Sequence, residues 1–446
     1  HRDLHSFPTR RSSDLEAYTE DLNINKELTL MADPSLAHFM LDIDGQVEIN
    51  ANNVTIQDFD GIYSIGLFAI KVVSPYGSFL IDSIGMINSS QDGILIENGA
   101  GGGTISNSFF NLNPGAGIYT GPLTGALNVE DNTIEGDLVA GTSIGIFSLT
   151  DNLTVTGNLF NDVISGVSAT GSDILLEENN FDNIMVGGVA ALLEGTNLAA
   201  HDNSFGFVGT TAITSSTTVD AENNWYGDPT GPTIASNPCG LGSTIVGASV
   251  DYSPWWFDAA MTTKNGLPDV TLTDIPNMST IAGTPLIISV TAGYPNDLGD
   301  YDPTVLTDAR ITSSLDFPAG SKVTSVLYNG SEVLPAEYAL PANDTVYLSD
   351  ILGGSAYPLA GHSGLSVDWD ITIGGFDTPW TSTINLDAVS YIATKTACNN
   401  LLGSDSFEVT FDYSDFFITE TDIEVCNGVD PLRSEERRVG KECRSR

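Results

Sequence analysis

The sequence predicts an all-β chain: a parallel β-helix over residues 16–257, then an immunoglobulin-like β-sandwich. Three observations predict it. Apolar pairs recur about every 24 residues through the first half, turn-forming residues separate them, and no pattern of period 3.6 persists.

The repeat is anchored on Asp33, Phe59, Ile84, Ser108, Asn132, Asn158, Asn179, Asn203 and Asn224. Three residues before each anchor stand Leu30, Ile56, Ile81, Ile105, Val129, Val155, Leu176, Ala200 and Ala221. Five before stand Leu28, Val54, Phe79, Gly103, Leu127, Leu153, Ile174, Leu198 and Val219. That alternation is the period of a strand with one face buried. Two after, from the third anchor, come Met86, Phe110, Ile134, Phe160, Phe181, Phe205 and Tyr226. About ten after comes a further apolar column through Ala69, Ile94, Ile118, Val167, Val189 and Ile213, its match delayed to Ile146 in one rung. One such unit cannot bury its own apolar side, but stacked units can, each strand pairing with its copy in the next rung. Asn132, Asn158, Asn179, Asn203 and Asn224 form a structural ladder, because an amide both donates and accepts along the stack. Asn also tolerates the left-handed backbone of a sharp turn.

Two segments carry a family resemblance. Residues 17–30, AYTEDLNINKELTL, resemble the opening rung of the right-handed parallel β-helix repeat proteins, the pectate-lyase-like superfamily. Residues 222–256, with ENNWYGDPTGP, NPCG and VDYSPWW, are similar to the closing element of secreted bacterial members. The resemblance implies a right-handed helix whose end is plugged by Trp225, Tyr226, Trp255 and Trp256. It does not fix an activity, because the fold hosts many.

Residues 258–269 read as a linker broken by Gly266 and Pro268. Beyond it, 270–425 carries strand-like runs at 286–290, 322–328, 346–348, 365–373 and 407–413, without the 24-residue repeat; this is the expected sandwich. Residues 426–432 would begin a further, truncated module.

The two ends stand apart. Residues 7–15 can be encoded by TTC CCT ACA CGA CGC TCT TCC GAT CT, and the reverse complement encodes residues 433–441. Residues 1–15 and 433–446 are therefore read as translated sequencing adapter and set aside. They hold nine of the fifteen Lys and Arg; residues 16–432 keep six against 53 Asp and Glu, a net charge of −47. Such a chain repels nucleic acid and anionic membranes. A hydrophobic content of 41% excludes a disordered acidic tail, and no apolar run is long enough to insert in a bilayer. Three cysteines remain. Cys398 and Cys426 would suit a disulfide in an extracytoplasmic compartment, and free buried thiols are the other reading.

Catalytic motifs of the family are missing from the covered part. Members that cleave by β-elimination need a basic residue and a charge neutraliser, and the helix offers only Lys26, His38, Lys71 and His201. Neither the Gly-His-Gly nor the Arg-x-Lys motif of the hydrolase branch occurs, nor the epimerase motif of the alginate-modifying relatives. One outward column draws attention, two residues before successive anchors: Glu177, His201 and Glu222, with Glu178, Asp202 and Asp220 nearby. Glu177, His201 and Glu222 are candidate catalytic groups. The five carboxylates, Glu177, Glu178, Asp202, Asp220 and Glu222, are a candidate calcium site. His201, charged between acids, would take the place of the metal. A solvated acidic face is the plainer reading.

The functional expectation is a non-catalytic structural or adhesive module of a large secreted or cell-surface bacterial protein, touching polysaccharide or another surface glycan along the β-helix. The alternative is a carbohydrate-active enzyme, a polysaccharide lyase or glycoside hydrolase. Ice binding would want regular threonine arrays, and the threonines here are irregular.

Overall fold

The computed structural model describes residues 2–3, 19–32 and 42–412, apart from 112–114, 137–142, 207–210, 248, 263, 267–269, 282, 294–305, 343, 355–356, 358, 360–365, 376–377 and 392–399. Asp33, His38, Cys398, Cys426 and the expected truncated module lie outside the described residues. So do both terminal segments, except Arg2 and Asp3, which pair in parallel with Leu22 and Asn23.

The 24-residue period becomes a stack of three-strand rungs. Strands Val54–Gln57, Phe79–Asp82, Gly103–Ser106, Leu127–Glu130 and Leu153–Thr156 lie side by side in parallel. Gly103 faces Phe79 and Leu127, and Leu127 faces Leu153, so residues five before each anchor form one vertical column. The column three before is fully buried from Ile56 to Ala221. Gly103 interrupts the larger residues because a Cβ there would strike the Phe79 ring at 2.7 Å.

A second face is made by Phe68–Val72, Asp92–Ile96, Ala116–Thr120 and Ile144–Ser148. It continues into two 13-residue strands, Ser165–Glu177 and Val189–His201, which run unbroken from the second face into the first. The third face is a separate seven-stranded sheet ending at Asp42–Asp44 and Asn180–Asp182.

Two expected columns shift. Ile87, not Met86, enters the core, in register with Ile62 and Phe110. The early turns carry one more residue between anchor and strand than the later ones. On the second face the inward column runs Ile70, Ile94, Ile118, Ile146, Val167, Ala191 and Ile213, so Ile70 replaces Ala69 and Ala191 replaces Val189.

The asparagine ladder is continuous. The Nδ2 of Asn132, Asn158, Asn179 and Asn203 donates to the Oδ1 of the next Asn at 3.0, 3.1, 2.9 and 3.0 Å. The same Nδ2 groups reach back to the carbonyls of Ile105, Val129, Val155 and Leu176. Each Oδ1 also accepts the backbone N–H of the preceding ladder residue, and Ser108 extends the series by donating its N–H to Asn132. The left-handed turn residue is not the Asn itself. It stands one position earlier, at Asp58, Ser83, Asn107, Asp131, Gly157, Glu178, Asp202 and Asn223, with φ between 49° and 69°. Asn is thus selected for its side-chain bonding, and the backbone demand falls on the neighbour.

Phe160, Phe181, Phe205 and Tyr226 stack through the core at 4.9, 5.0 and 5.7 Å. Tyr226 donates its hydroxyl to the Ala221 carbonyl at 3.0 Å, which satisfies its one polar group inside the stack. Trp255 is fully buried and Trp225 nearly so, as the closing element requires; Trp256 is only half-buried and lies toward the outside. Cys239 is nearly buried and disulfide-bonded.

The second half forms two sheets around a separate apolar cluster. One orders Thr271–Leu272, Leu286–Gly293, Val367–Gly374, Lys322–Tyr328 and Ser331–Glu332, all antiparallel. The other orders Met278–Ile281, Asn400–Asp412, Trp380–Tyr391, Leu306–Ser313 and Thr345–Tyr347, parallel only at its first pair. Trp369 and Phe407 are among its largest buried side chains.

Candidate functional site

The residues singled out by sequence meet only in part. Glu177 and His201 are direct strand partners. His201 Nε2 stands 3.4 Å from Asp220 Oδ2, and its Nδ1 is 3.2 Å from the backbone carbonyl of Glu222. A carbonyl only accepts, so Nδ1 carries a hydrogen there. Glu178 and Asp202 occupy the left-handed turn positions. Asp202 Oδ1 accepts the indole N–H of Trp256 at 3.0 Å, and Lys264 lies 5.0 Å above that indole ring. Asp220 and Asp202 are thus engaged separately, one by His201 and the other by the Trp256 indole. Among the described residues no three His, Cys, Asp or Glu side chains converge to hold a metal.

Glu222 is the perturbed group of this cluster. Burial pushes its carboxyl above the usual range, Asp251 and Asp220 push the same way, and His201 and Lys264 oppose them. A carboxyl raised by folding holds its proton more tightly in the folded state. Stability is then greatest below the unfolded carboxylate range and falls as pH rises through it toward the folded value. Glu222→Gln removes that loss. Its melting temperature is expected to exceed the parent's slightly at neutral pH and to match it in acid. Identical pH profiles for the two proteins would exclude the effect.

A second group of residues was not found by sequence reasoning. On the second face, outward positions alternate with the buried column, and strand register aligns Glu48, Lys71, Leu95, Tyr119, Phe147, Ser168 and Leu192. The Tyr119 and Phe147 rings stack at 5.1 Å with a 17° interplanar angle, and Tyr119 is 37% exposed. Lys71 Nζ lies 2.7 Å from Glu97 Oε1 and 3.9 Å from Glu48 Oε1, above the Phe68 ring at 5.7 Å. The Lys71 ammonium, by its hydrogen bond, holds the Glu97 carboxyl below the usual range, and the Ser74 N–H adds to this. Asp92, in register with Phe68, behaves oppositely: burial pushes its carboxyl up against one hydrogen bond from the Ala116 N–H. The signal was present in the sequence. Leu95, Tyr119 and Phe147 each stand one residue after an inward isoleucine, a spacing that marks them as outward.

Residues 40–205 match the family model described as a right handed beta helix region. Over those residues the stack is therefore a right-handed parallel β-helix. No curated protein matches the chain. Among solved structures, the enzymatically active domain of tailspike protein 2 of bacteriophage CBA120 is similar at 12% identity, covering 87% of this chain and 68% of that one, with a TM-score of 0.22. At that score the likeness carries no inference. Among the described residues no helix is long and apolar enough to cross a membrane.

Proposed function

We propose that this chain is a non-catalytic, polysaccharide-contacting module of a secreted or cell-surface protein. The β-helix over 16–257 serves as the rigid contact surface, 258–269 as linker, and an immunoglobulin-like sandwich over 270–425 as spacer. The observation that carries this reading is the outward Tyr119–Phe147 stack on a parallel sheet face, continued by Leu95 and, a strand further, by the charged Lys71. Exposed aromatic surface rimmed by polar groups marks a contact site, and the C–H faces of sugars pack on such rings while their hydroxyls seek polar neighbours. The engagement of His201 by Asp220 and the Glu222 carbonyl, and of Asp202 by the Trp256 indole, favours binding over the lyase or hydrolase alternative.

Tyr119→Ala combined with Phe147→Ala tests it on a glycan array, with product analysis to detect cleavage. Binding is expected to weaken about tenfold or more, since an anchoring aromatic commonly contributes above about 1 kcal/mol. Melting temperature should change far less than for a core substitution, because both rings lie outside the buried core, Tyr119 exposed and Phe147 partly so. Glycan binding equal to the parent's would refute the assignment of this face. Released oligosaccharide products would turn the reading toward an enzyme.

A further inference from the structure

We infer that the ligand of the Tyr119–Phe147 face is a neutral, hydroxyl-rich glycan, and that Lys71, Glu97 and Glu48 form the subsite that recognises its hydroxyls. This rests on the reading above and adds to it the substrate class.

The cluster is built rather than incidental. Lys71 is held by two carboxylates from neighbouring strands and by the Phe68 ring, and its side chain is only 20% exposed. Glu97 is fixed from the other side by the Ser74 N–H at 3.2 Å. Register places Lys71 beside Leu95 and Leu95 beside Tyr119, so cation and aromatic stack are two strand spacings apart, roughly 10 Å. A short oligosaccharide lying along the stack reaches both.

The chemistry then selects the ligand. Ammonium supplies three donors, of which the two glutamates engage at most two, and each carboxylate offers more acceptor positions than Lys71 fills. The cluster therefore presents donors and acceptors together, which is what a hydroxyl needs. Its charge is one positive against two negative groups. From Glu48 to Leu192 the aligned outward column holds no second cation. A uronate carboxylate brought to this place would meet net negative charge with its one counter-ion already engaged, whereas an uncharged sugar pays no such repulsion.

The experiment is a titration calorimetry series on the full chain in EDTA. The probes are cellohexaose, xylohexaose and mannohexaose against hexagalacturonate and oligoalginate, at low and high sodium chloride. At least one neutral hexaose is expected to bind with little salt dependence, and the uronates are not. Lys71→Met with Glu97→Gln should weaken the neutral ligand about tenfold, while Glu48→Gln with Glu97→Gln, which frees the Lys71 charge, should admit hexagalacturonate. If uronates bind the parent and neutral sugars do not, and Tyr119→Ala with Phe147→Ala abolishes that binding, the substrate class is overturned and the face assignment stands. If Lys71→Met with Glu97→Gln binds the neutral sugar as the parent does, the hydroxyl subsite is overturned. If no probe binds, or the aromatic variant binds as the parent does, the face assignment itself falls and this inference with it.

Discussion

Asn179→Ala should lower the melting temperature of the β-helix by roughly 10 °C or more. Asn179 is 1% exposed and sits mid-ladder. Its Oδ1 accepts both the backbone N–H and the Nδ2 of Asn158, at 3.0 and 3.1 Å, while its Nδ2 donates to the Val155 carbonyl at 2.7 Å and to Asn203 Oδ1 at 2.9 Å. Alanine leaves the Asn158 N–H and the Val155 carbonyl short of these partners where water does not enter. Each buried polar group so orphaned costs about 1–3 kcal/mol, and the sum is a large part of a folding free energy of about 5–15 kcal/mol. Because each rung contacts only its neighbours, hydrogen exchange should accelerate first in the strands beside residue 179. Asn179→Asp should not rescue, since it keeps the acceptor and loses the donor. A melting temperature within about 2 °C of the parent would refute the ladder's role in stability.

Phe181→Ala should be comparably damaging, by about 3–5 kcal/mol. The ring is fully buried between Phe160 and Phe205, 7° and 14° from parallel with them, so its removal opens a cavity that neighbours on both sides are too well stacked to fill. Phe181→Leu, which retains most of the volume, should cost much less. Thermal or urea unfolding of both variants, with Tyr119→Ala as an exposed-ring control, separates core packing from general sensitivity. Equal destabilisation by Phe181→Ala and Tyr119→Ala would contradict the packing account.

The rung repeat was legible because its signal is redundant. Columns three and five before the anchor repeat in every rung, and the strands they predict pair in the register the spacing implies. The ladder was legible because buried amides have few other uses. What escaped has physical reasons. One extra turn residue in the early rungs moved Ile87 into the place assigned to Met86, and counting from an anchor does not detect a local insertion. The left-handed position was assigned to the ladder Asn because Asn tolerates it, yet it falls one residue earlier, where Asp, Ser, Gly and Glu serve as well as Asn107 and Asn223. The pairing of Lys71 with Glu48 and Glu97 was not read from the sequence, because both come from adjacent rungs at offsets the anchors did not track. In the second half, Leu306–Ser313 and Trp380–Tyr391 were missed as strands. They are rich in polar residues, and pairing across strands, including Arg310 with Asp387 at 2.8 Å, supplies what their hydropathy does not. At the candidate site, sequence reasoning brought His201 beside Glu177 but did not foresee that Asp220 and the Glu222 carbonyl would take its two ring nitrogens.

The ladder is directional. Each Nδ2 from Asn132 to Asn203 donates to the next rung as well as back to a carbonyl of the preceding one, whereas every Oδ1 from Asn158 to Asn224 points back. Strand dipoles largely cancel in a sheet, but these side-chain amides add head to tail, as peptide units do along an α-helix. The column adds an electric polarity along the axis of a strongly acidic stack. Its positive end falls at Asn224, in the same closing rungs as Asp220, Glu222 and Asp251. The acidic end of the solenoid thus sits where the amide column offers it counter-charge, as an anion does at the amino end of a helix.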